Sequence, residues 1–385
     1  MTRIFILYTS AGTGHVSAAK ALGEALAQHP YVQVHVEDLF DHINETARKA
    51  IVSGYNEIST NAQSLYTMFH SRLYKDNTED ALKMNQMFTN LGRPFVQRFE
   101  KFVADGAPDI IINTMQYPLH LLKNYAEQSN TPEYAVITDI SVQTTWLRDN
   151  MTGYFVASQL TRDVLLARGV DPDIIHVTGI PVKLDLAKEK PMDEMRRRHD
   201  LPLDKPVITI FGGGIGTDRI HNMVNRMVKA EQPGLLTVVA GRNKDLLDAL
   251  SDITAGPHMD FRPLGYVNYV DDLVAASDLV ITKPGGLMTS EILARGTPTI
   301  IIDPIPGQEE WNADFVSGSG AGIQIRMPEL VPPAAIALLA QPERLEAMRA
   351  QAQLVGRPRA AFDIADQILA DVEAGVGRRT NHIQL

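Results

Sequence analysis

KPGGLMTSEILARGTPTIIIDPIPGQEEWNA, residues Lys283 to Ala313, decides how this chain is read. It follows an apolar run, Asp278 to Thr282, that reads as a strand. Gly285 and Gly286 then open a helical segment that carries Glu291. A second strand, Pro298 to Ile302, leads into the loop PIPGQEE. This order suits a nucleotide-sugar. Bare backbone N–H groups at a helix N-terminus can hold a diphosphate. Here they would come from Gly285, Gly286, Leu287, Met288 and Thr289. Glu291, one turn into the helix, can accept two ribose hydroxyls. Gln308 and Glu309, on the next loop, can read sugar hydroxyls.

Outward from this stretch, strand-like runs alternate with longer amphipathic segments. In the first half they fall at Arg3–Tyr8, Val32–Val36, Asp109–Ile112, Tyr134–Thr138, Tyr154–Ala157 and Ile174–Thr178. In the second half they fall at Val207–Phe211, Leu235–Ala240, Asp260–Arg262, Leu279–Thr282, Thr299–Ile302 and Gly322–Ile325. Such alternation predicts a parallel sheet with helices on both faces. It occurs twice, so the fold class is α/β with two doubly wound, Rossmann-like domains. The expected boundaries are 1–182, a linker region at 183–205, 206–360, and a C-terminal helix and tail at 361–385. Ligands of open α/β sheets bind beyond the carboxyl ends of the strands, so the reaction is expected in a cleft between the domains.

Composition narrows the partners. The chain has 385 residues, 44% apolar and 21% charged, with no cysteine and a formal net charge of −10. That length fits two domains. No run reaches the roughly eighteen uninterrupted apolar residues of a membrane-spanning helix. The first residues enter a strand at once, which predicts no secretory signal. Lack of cysteine excludes disulfides and thiolate metal sites and fits a cytoplasmic setting. The acidic balance argues against nucleic acid as a partner and against whole-surface attraction to anionic lipid. Membrane contact would have to be a local patch.

The first strand runs into SAGTGHVSAAKALGEAL, Ser10 to Leu26. Small residues there let the backbone turn tightly and approach a ligand. Gly12 and Gly14 lie in this turn, and His15 follows at the helix start. An imidazole in that place can take a proton from an acceptor hydroxyl near neutral pH, or it can simply brace the loop. Gly12 and Gly14 also match the first two glycines of a dinucleotide fingerprint, with Glu37 and Asp38 where its acid would stand. Ser17 replaces the third glycine, so a nicotinamide site is not expected. Asp139, in ITDIS, ends a strand and could orient His15, contact the acceptor, or act as the base itself. Trp146 reads as packed beside that loop.

In the second half, ITIFGGGIGTDRI (Ile208 to Ile220) places Gly213 and Gly214 after a strand, where a phosphate or an acceptor could approach. The segment Arg262 to Val280 suggests a strand, a turn at Gly265–Tyr266, and a helix. Main chain after that turn, at Val267, could pair with a uracil edge. Asp271 and Asp272 resemble a metal-binding pair but read better as carboxylates capping a helix start.

These residues resemble a known family, the bacterial processive diacylglycerol glucosyltransferases and the plant monogalactosyldiacylglycerol synthases. More distantly the chain resembles the GlcNAc transferase of lipid II synthesis. The anchors are GTGHVSAA (Gly12–Ala19), VITDISVQTTW (Val136–Trp146), VTGIPV (Val177–Val182) and the stretch Lys283–Ala313. The resemblance implies a GT-B fold and an inverting hexosyl transfer, of glucose by preference, from a UDP-sugar. It implies no cofactor and no catalytic metal, and a lipid acceptor such as diacylglycerol reached from the cytoplasmic face of the membrane. It implies that His15 is the loop histidine, Glu291 the ribose acid, Gln308 and Glu309 the sugar-reading pair, and Gly285 to Thr289 the diphosphate-binding start. Two departures lie on the acceptor side. The first loop has Thr13 where relatives often have a third glycine. The family usually carries T-D-F-x-V-H where this chain has TDISVQ, with Gln143 in place of the histidine.

Between Val36 and Asp109 no strand is expected, only several helices. Tyr66, Phe69, Tyr74, Phe95 and Phe99 accompany Arg72, Lys75, Arg93, Arg98 and Lys101. Such a mixture suits either a helical core with a solvated face or a peripheral contact with anionic membrane. Two rival functions share the fold. One is a UDP-sugar epimerase, which needs no acceptor site; the other is a UDP-sugar sensor that does not turn over.

Overall fold

The computed structural model describes residues 1–10, 13–43, 48, 97–377 and 383. They form two compact units. One is Met1–Leu184 together with Arg359–Leu385, and the other is Asp185–Pro358.

The first unit holds strands β1 (Thr2–Tyr8), β2 (Val32–Asp38), β3 (Ile110–Asn113), β4 (Glu133–Val136), β5 (Gly153–Val156) and β6 (Ile175–Val177). They make one parallel sheet in the order β2-β1-β3-β4-β5-β6. The second unit holds β7 (Val207–Phe211), β8 (Gly234–Val239), β9 (Met259–Leu264), β10 (Leu279–Thr282), β11 (Thr299–Ile302) and β12 (Gly322–Ile325). Their order is β12-β11-β10-β7-β8-β9, again all parallel. Each predicted strand is present, displaced by at most two residues at its ends. The reason is visible in the runs themselves. IIIN in β3 and TIII in β11 are buried at every position, as strands covered on both faces must be.

In each sheet the chain winds outward from a middle strand and then reverses. The reversal lies between β1 and β3 in the first sheet and between β7 and β10 in the second. Crevices at such reversals, beyond the strands' carboxyl ends, are where open α/β sheets take ligands.

Helices of the first unit are α1 (Thr13–Leu26), α2 (Gln116–Leu121), α3 (Lys123–Ser129) and α4 (Gln159–Ala167). Those of the second are α5 (Met192–Arg198), α6 (Thr217–Met227), α7 (Lys244–Ser251), α8 (Val270–Ala276), α9 (Gly286–Ala294), α10 (Gln308–Gly318), α11 (Val331–Leu339) and α12 (Pro342–Val355). A last helix, α13 (Ala360–Glu373), returns to the first unit. Its Ala361, Ile364 and Ile368 join Leu22 and Leu26 of α1 and Ile4 and Ile6 of β1 in one apolar cluster. Tyr134 donates its hydroxyl to Asp371 at 2.8 Å, so α13 is fixed to β4 as well.

The polar stretch read as a linker region is structured. Residues 185–205 carry α5 and belong to the second unit. Lys190 lies 2.8 Å from Asp185, 2.7 Å from Asp271 and 2.7 Å from Asp272. Arg295 pairs with Asp271, and His199 lies 2.8 Å from Asp272. Asp271 and Asp272 do lie in the first turn of α8, but that helix has no side-chain cap. The capping role expected of them is replaced by this charge network. Burial alone would push the Asp272 carboxyl up; hydrogen bonds from Lys190 and His199 outweigh it and hold it below the usual range. Hydrogen bonds from Lys190 and Lys188 lower Asp185 to about 2.

Most of the segment expected to hold helices between Val36 and Asp109 lies outside the described residues, including Tyr66, Phe69, Arg72, Tyr74, Lys75, Arg93 and Phe95. Residues 97–106 are helical. Of the two readings of this segment, Phe99 follows the helical core: it is fully buried with Phe5, Leu7, Phe40 and Val103. Its ring completes the face of the sheet that α1 leaves uncovered. Arg98 and Lys101 stay exposed, and Lys101 pairs with Asp105 at 2.7 Å.

Candidate active site

The first unit gathers polar side chains at the ends of β1, β3 and β4. His15 sits in the first turn of α1, directly after β1. Its Nδ1 lies 2.9 Å from the Thr114 carbonyl oxygen and 2.7 Å from Thr138 Oγ1. Thr114 follows β3, and its hydroxyl donates back to the His15 carbonyl at 3.2 Å. A carbonyl oxygen only accepts, so Nδ1 carries the ring proton and Nε2 keeps its lone pair. Burial lowers the His15 pKa, partly offset by the Thr114 carbonyl. The imidazole is therefore neutral near pH 7, in the tautomer and charge state that a general base needs.

The loop before α1 is anchored from β2. Asp38 Oδ1 accepts from Ser10 N at 3.2 Å and from Phe40 N at 2.9 Å. The acid that sequence reading weighed for a nicotinamide ribose thus holds backbone. Gly12 lies outside the described residues. At Gly14 an added Cβ would meet nothing within 4 Å, so the protein's own packing does not require glycine there.

Asp139 follows β4 and is half-buried, next in sequence to Thr138. Gln143 is buried and accepts from Thr145 Oγ1 at 3.3 Å and Gln116 Nε2 at 3.5 Å. Trp146 is 1% exposed, packed among Leu119, Val142, Leu147 and Tyr154, so no sugar can stack on it. Behind them Arg148 and Glu133 form a buried ion pair, with Asn113 donating to Glu133 at 2.8 Å. His120 donates from Nε2 to the Thr145 carbonyl at 2.6 Å and is pushed down to about 4, chiefly by burial.

The second unit holds the residues read as donor-binding. Gly285 is the N-cap of α9, and no side chain caps that helix. The first turn contains no acid, so its N–H groups and the positive end of the helix dipole are offered to an anion. Thr289, 1% exposed, has a buried hydroxyl with no partner. Buried hydroxyls are nearly always hydrogen-bonded, so this one fits a ligand oxygen. Glu291 lies on the same helix and is 8% exposed.

Helix α10 brings Glu309 to the same place. A Cβ built on Gly285 would stand 3.9 Å from Glu309 Oε1, so this carboxylate flanks the start of α9. Glu309 Oε2 accepts from Ile305 N at 2.7 Å, and Glu310 accepts from Gly307 N at 3.0 Å. Gly307 adopts φ 98°, which favours glycine, and Gln308 then opens the helix. Asn312 was not foreseen. It is fully buried and donates from Nδ2 to the Pro284 carbonyl at 2.8 Å, tying α10 to the loop that opens α9. Its signal was an amide inside a helical segment otherwise bordered by apolar residues.

The two glycines after β7 differ. A Cβ on Gly213 would come within 2.8 Å of the Ala240 carbonyl oxygen, so close backbone packing alone accounts for it. Gly214 faces open space. Val267 is half-buried and packs against the apolar cluster of its own unit that includes Leu235 and Leu273. Tyr266, beside it, is exposed, with the Arg242 guanidinium 5.2 Å from its ring centroid. Among the described residues no group of three acidic, histidine or cysteine side chains is placed to hold a metal ion. No helix among them is long and apolar enough to cross a membrane.

Comparison with known proteins agrees with both halves. Residues 15–182 match the model of the monogalactosyldiacylglycerol (MGDG) synthase family, and residues 191–355 match glycosyl transferases group 1. The processive diacylglycerol beta-glucosyltransferase of Bacillus licheniformis is 30% identical over 349 residues, 90% of this chain and 89% of that one. The enzyme of the same name from Bacillus subtilis is 29% identical over 374 residues, 96% of each chain. Among solved structures, MurG of Acinetobacter baumannii superposes with a TM-score of 0.65 at 15% identity, over 96% of this chain and all of that one, a likeness of fold. The chain belongs to the family of processive diacylglycerol glucosyltransferases and MGDG synthases, glycosyltransferases built on the GT-B fold.

Proposed function

We propose that the protein transfers a hexose, glucose by preference, from a UDP-sugar to a hydroxyl of a membrane lipid such as diacylglycerol, with inversion at the anomeric carbon. The observation that carries the reading is the His15 geometry, set in a chain that aligns with diacylglycerol glucosyltransferases along nine-tenths of its length. The second unit holds the donor, with its diphosphate at the start of α9 and its ribose on Glu291. Gln308 and Glu309 read the sugar. The first unit supplies the base. His15 Nε2 takes the proton of the acceptor hydroxyl as its oxygen attacks the anomeric carbon and the bond to UDP breaks. Charge that develops on the leaving UDP is met by N–H groups of α9. No metal is needed for that step, and activity is expected to survive excess chelator.

The acceptor stays in the bilayer, so the protein works as a peripheral protein at the cytoplasmic face of an anionic membrane. The test is incubation with a panel of UDP-sugars and of lipid acceptors in vesicles, products resolved by mass spectrometry and the anomeric configuration read by NMR. A β-linked hexosyl diacylglycerol is expected with UDP-glucose. Turnover only to an epimerised UDP-sugar, or binding of UDP-sugar with no product from any lipid, would overturn the proposal.

A further inference from the structure

The start of α9 has an electrostatic difficulty. Glu309 places a carboxylate oxygen beside Gly285, where the proposed diphosphate would lie. Two anions in one place repel unless positive charge is nearby, and the helix dipole supplies only about half an elementary charge. Three side chains at the crevice of the second sheet answer this. Lys283 follows β10, two residues before Gly285. Arg219 stands in the first turn of α6, which follows β7 on the other side of the reversal. Asp303 follows β11 and holds both. It pairs with Arg219 through Oδ1, and its Oδ2 lies 3.9 Å from Lys283 Nζ.

Asp303 does this from a left-handed backbone conformation, φ 52°, which aspartate tolerates better than most residues. The cations are not locked away. The Arg219 side chain is 43% exposed, and the Lys283 contact is long for an ion pair. Asp303 therefore holds two positive side chains at the crevice, one following β7 and one following β10, and Lys283 leads within two residues to Gly285, the N-cap of the helix whose Thr289 hydroxyl lacks a partner.

Resting on the donor reading above, we propose that Lys283 and Arg219 are diphosphate-binding residues, poised by Asp303 to neutralise the β-phosphate and so to stabilise UDP as it leaves. A cation on that phosphate makes a specific difference. It strengthens binding of a nucleoside diphosphate far more than that of a monophosphate or of the bare nucleoside.

The experiment is calorimetric titration of the whole chain with UDP, UMP and uridine. The parent is compared with Lys283→Gln, Arg219→Gln and Lys283→Arg. In each glutamine variant UDP binding is expected to weaken about 10- to 100-fold, the usual effect of losing a charge-assisted contact. UMP should weaken far less, and uridine not at all, which also reports that the fold is intact. Lys283→Arg should keep most of the UDP affinity. Equal weakening of UDP and UMP, or no weakening of UDP, overturns the assignment and leaves the donor reading standing. A parent chain that binds UDP no tighter than uridine removes both.

Discussion

Thr138 Oγ1 stands 2.7 Å from His15 Nδ1 and meets it as an acceptor, because the same N–H is also directed at the Thr114 carbonyl. Two oxygens thus surround one proton. When Nε2 takes a second proton, the imidazolium's charge is shared with both. His15→Ala is expected to lower kcat about 10²–10⁴-fold while UDP affinity stays at the parent value. Thr138→Val should lower kcat more modestly, with KM for the donor unchanged, and Thr138→Ser should restore it. Because burial holds His15 below its ordinary value, the acidic limb of the rate profile should fall below pH 6.5. Near-normal turnover of His15→Ala would pass the base's role to Asp139.

Glu291→Ala tests the ribose contact. Loss of a charged acceptor for two hydroxyls should cost about 1.5–3 kcal/mol of UDP binding. Glu291 lies near the core of its unit, so Glu291→Gln is the companion that keeps the shape. Both should weaken UDP and uridine alike, since both ligands carry the ribose. Unchanged affinity for uridine in both variants would remove Glu291 from the site.

Gly213 and Gly214 should respond to alanine in opposite ways. At Gly213 the new methyl would press on the Ala240 carbonyl, so the loop or β8 must shift and the melting temperature should fall. At Gly214 there is room, and the melting temperature should hold. If a ligand passes close to Gly214, the alanine variant will bind UDP more weakly despite being stable. Equal UDP affinity in parent and Gly214→Ala would confine the donor to the α9 and α10 side.

The twelve strands were legible because parallel sheets buried on both faces leave continuous apolar runs, and the glycines of the α9 start because they interrupt such a run. What the chain could not show was how distant polar residues meet. Thr114 and Thr138 are unremarkable in sequence, and only the parallel pairing of β1, β3 and β4 sets them around His15. Asn312 and Asp303 act through contacts made across loops. The two readings left open at Phe99 have the same origin. Aromatics mixed with basic residues look alike whether a helix faces lipid or covers a sheet, and the residue's register on its helix decides. Asp271 and Asp272 were placed at a helix start, yet Lys190 and His199, which pair with them, lie seventy or more positions earlier, and Arg295, which also pairs with Asp271, follows at the end of the next helix.

His120 predicts a pH-dependent stability. Its pKa is pushed down to about 4 by burial, with Arg148 and Lys123 adding to the effect against the Thr145 carbonyl. The unfolded chain takes up a proton near pH 6.5, whereas the folded chain does so only near pH 4. Between these values the unfolded state binds more protons, so stability is complete above pH 6.5 and is lost as pH falls toward 4. The share owed to this group is on the order of 1–3 kcal/mol. Melting curves of the parent and of His120→Asn across that range should converge at acid pH. Parallel curves would show that His120 stays as accessible to protons in the fold as outside it.

Membrane contact can be tested on the described part of the segment read as a candidate lipid contact. On helical residues 97–106, Phe99 and Val103 face the core, while Arg98, Lys101 and Asp105 are exposed along the opposite side. Lys101 is already paired with Asp105, so that side carries less free positive charge than its sequence suggests. Each basic side chain near an anionic surface contributes roughly 1 kcal/mol. Arg98→Glu with Lys101→Glu should therefore reduce sedimentation with vesicles rich in anionic lipid. Asp105→Asn should increase it, because it frees Lys101. Activity on vesicle-embedded diacylglycerol should follow the same order, and activity on a short-chain soluble acceptor should not change. Equal vesicle binding by the parent and both variants would place the lipid contact on another surface.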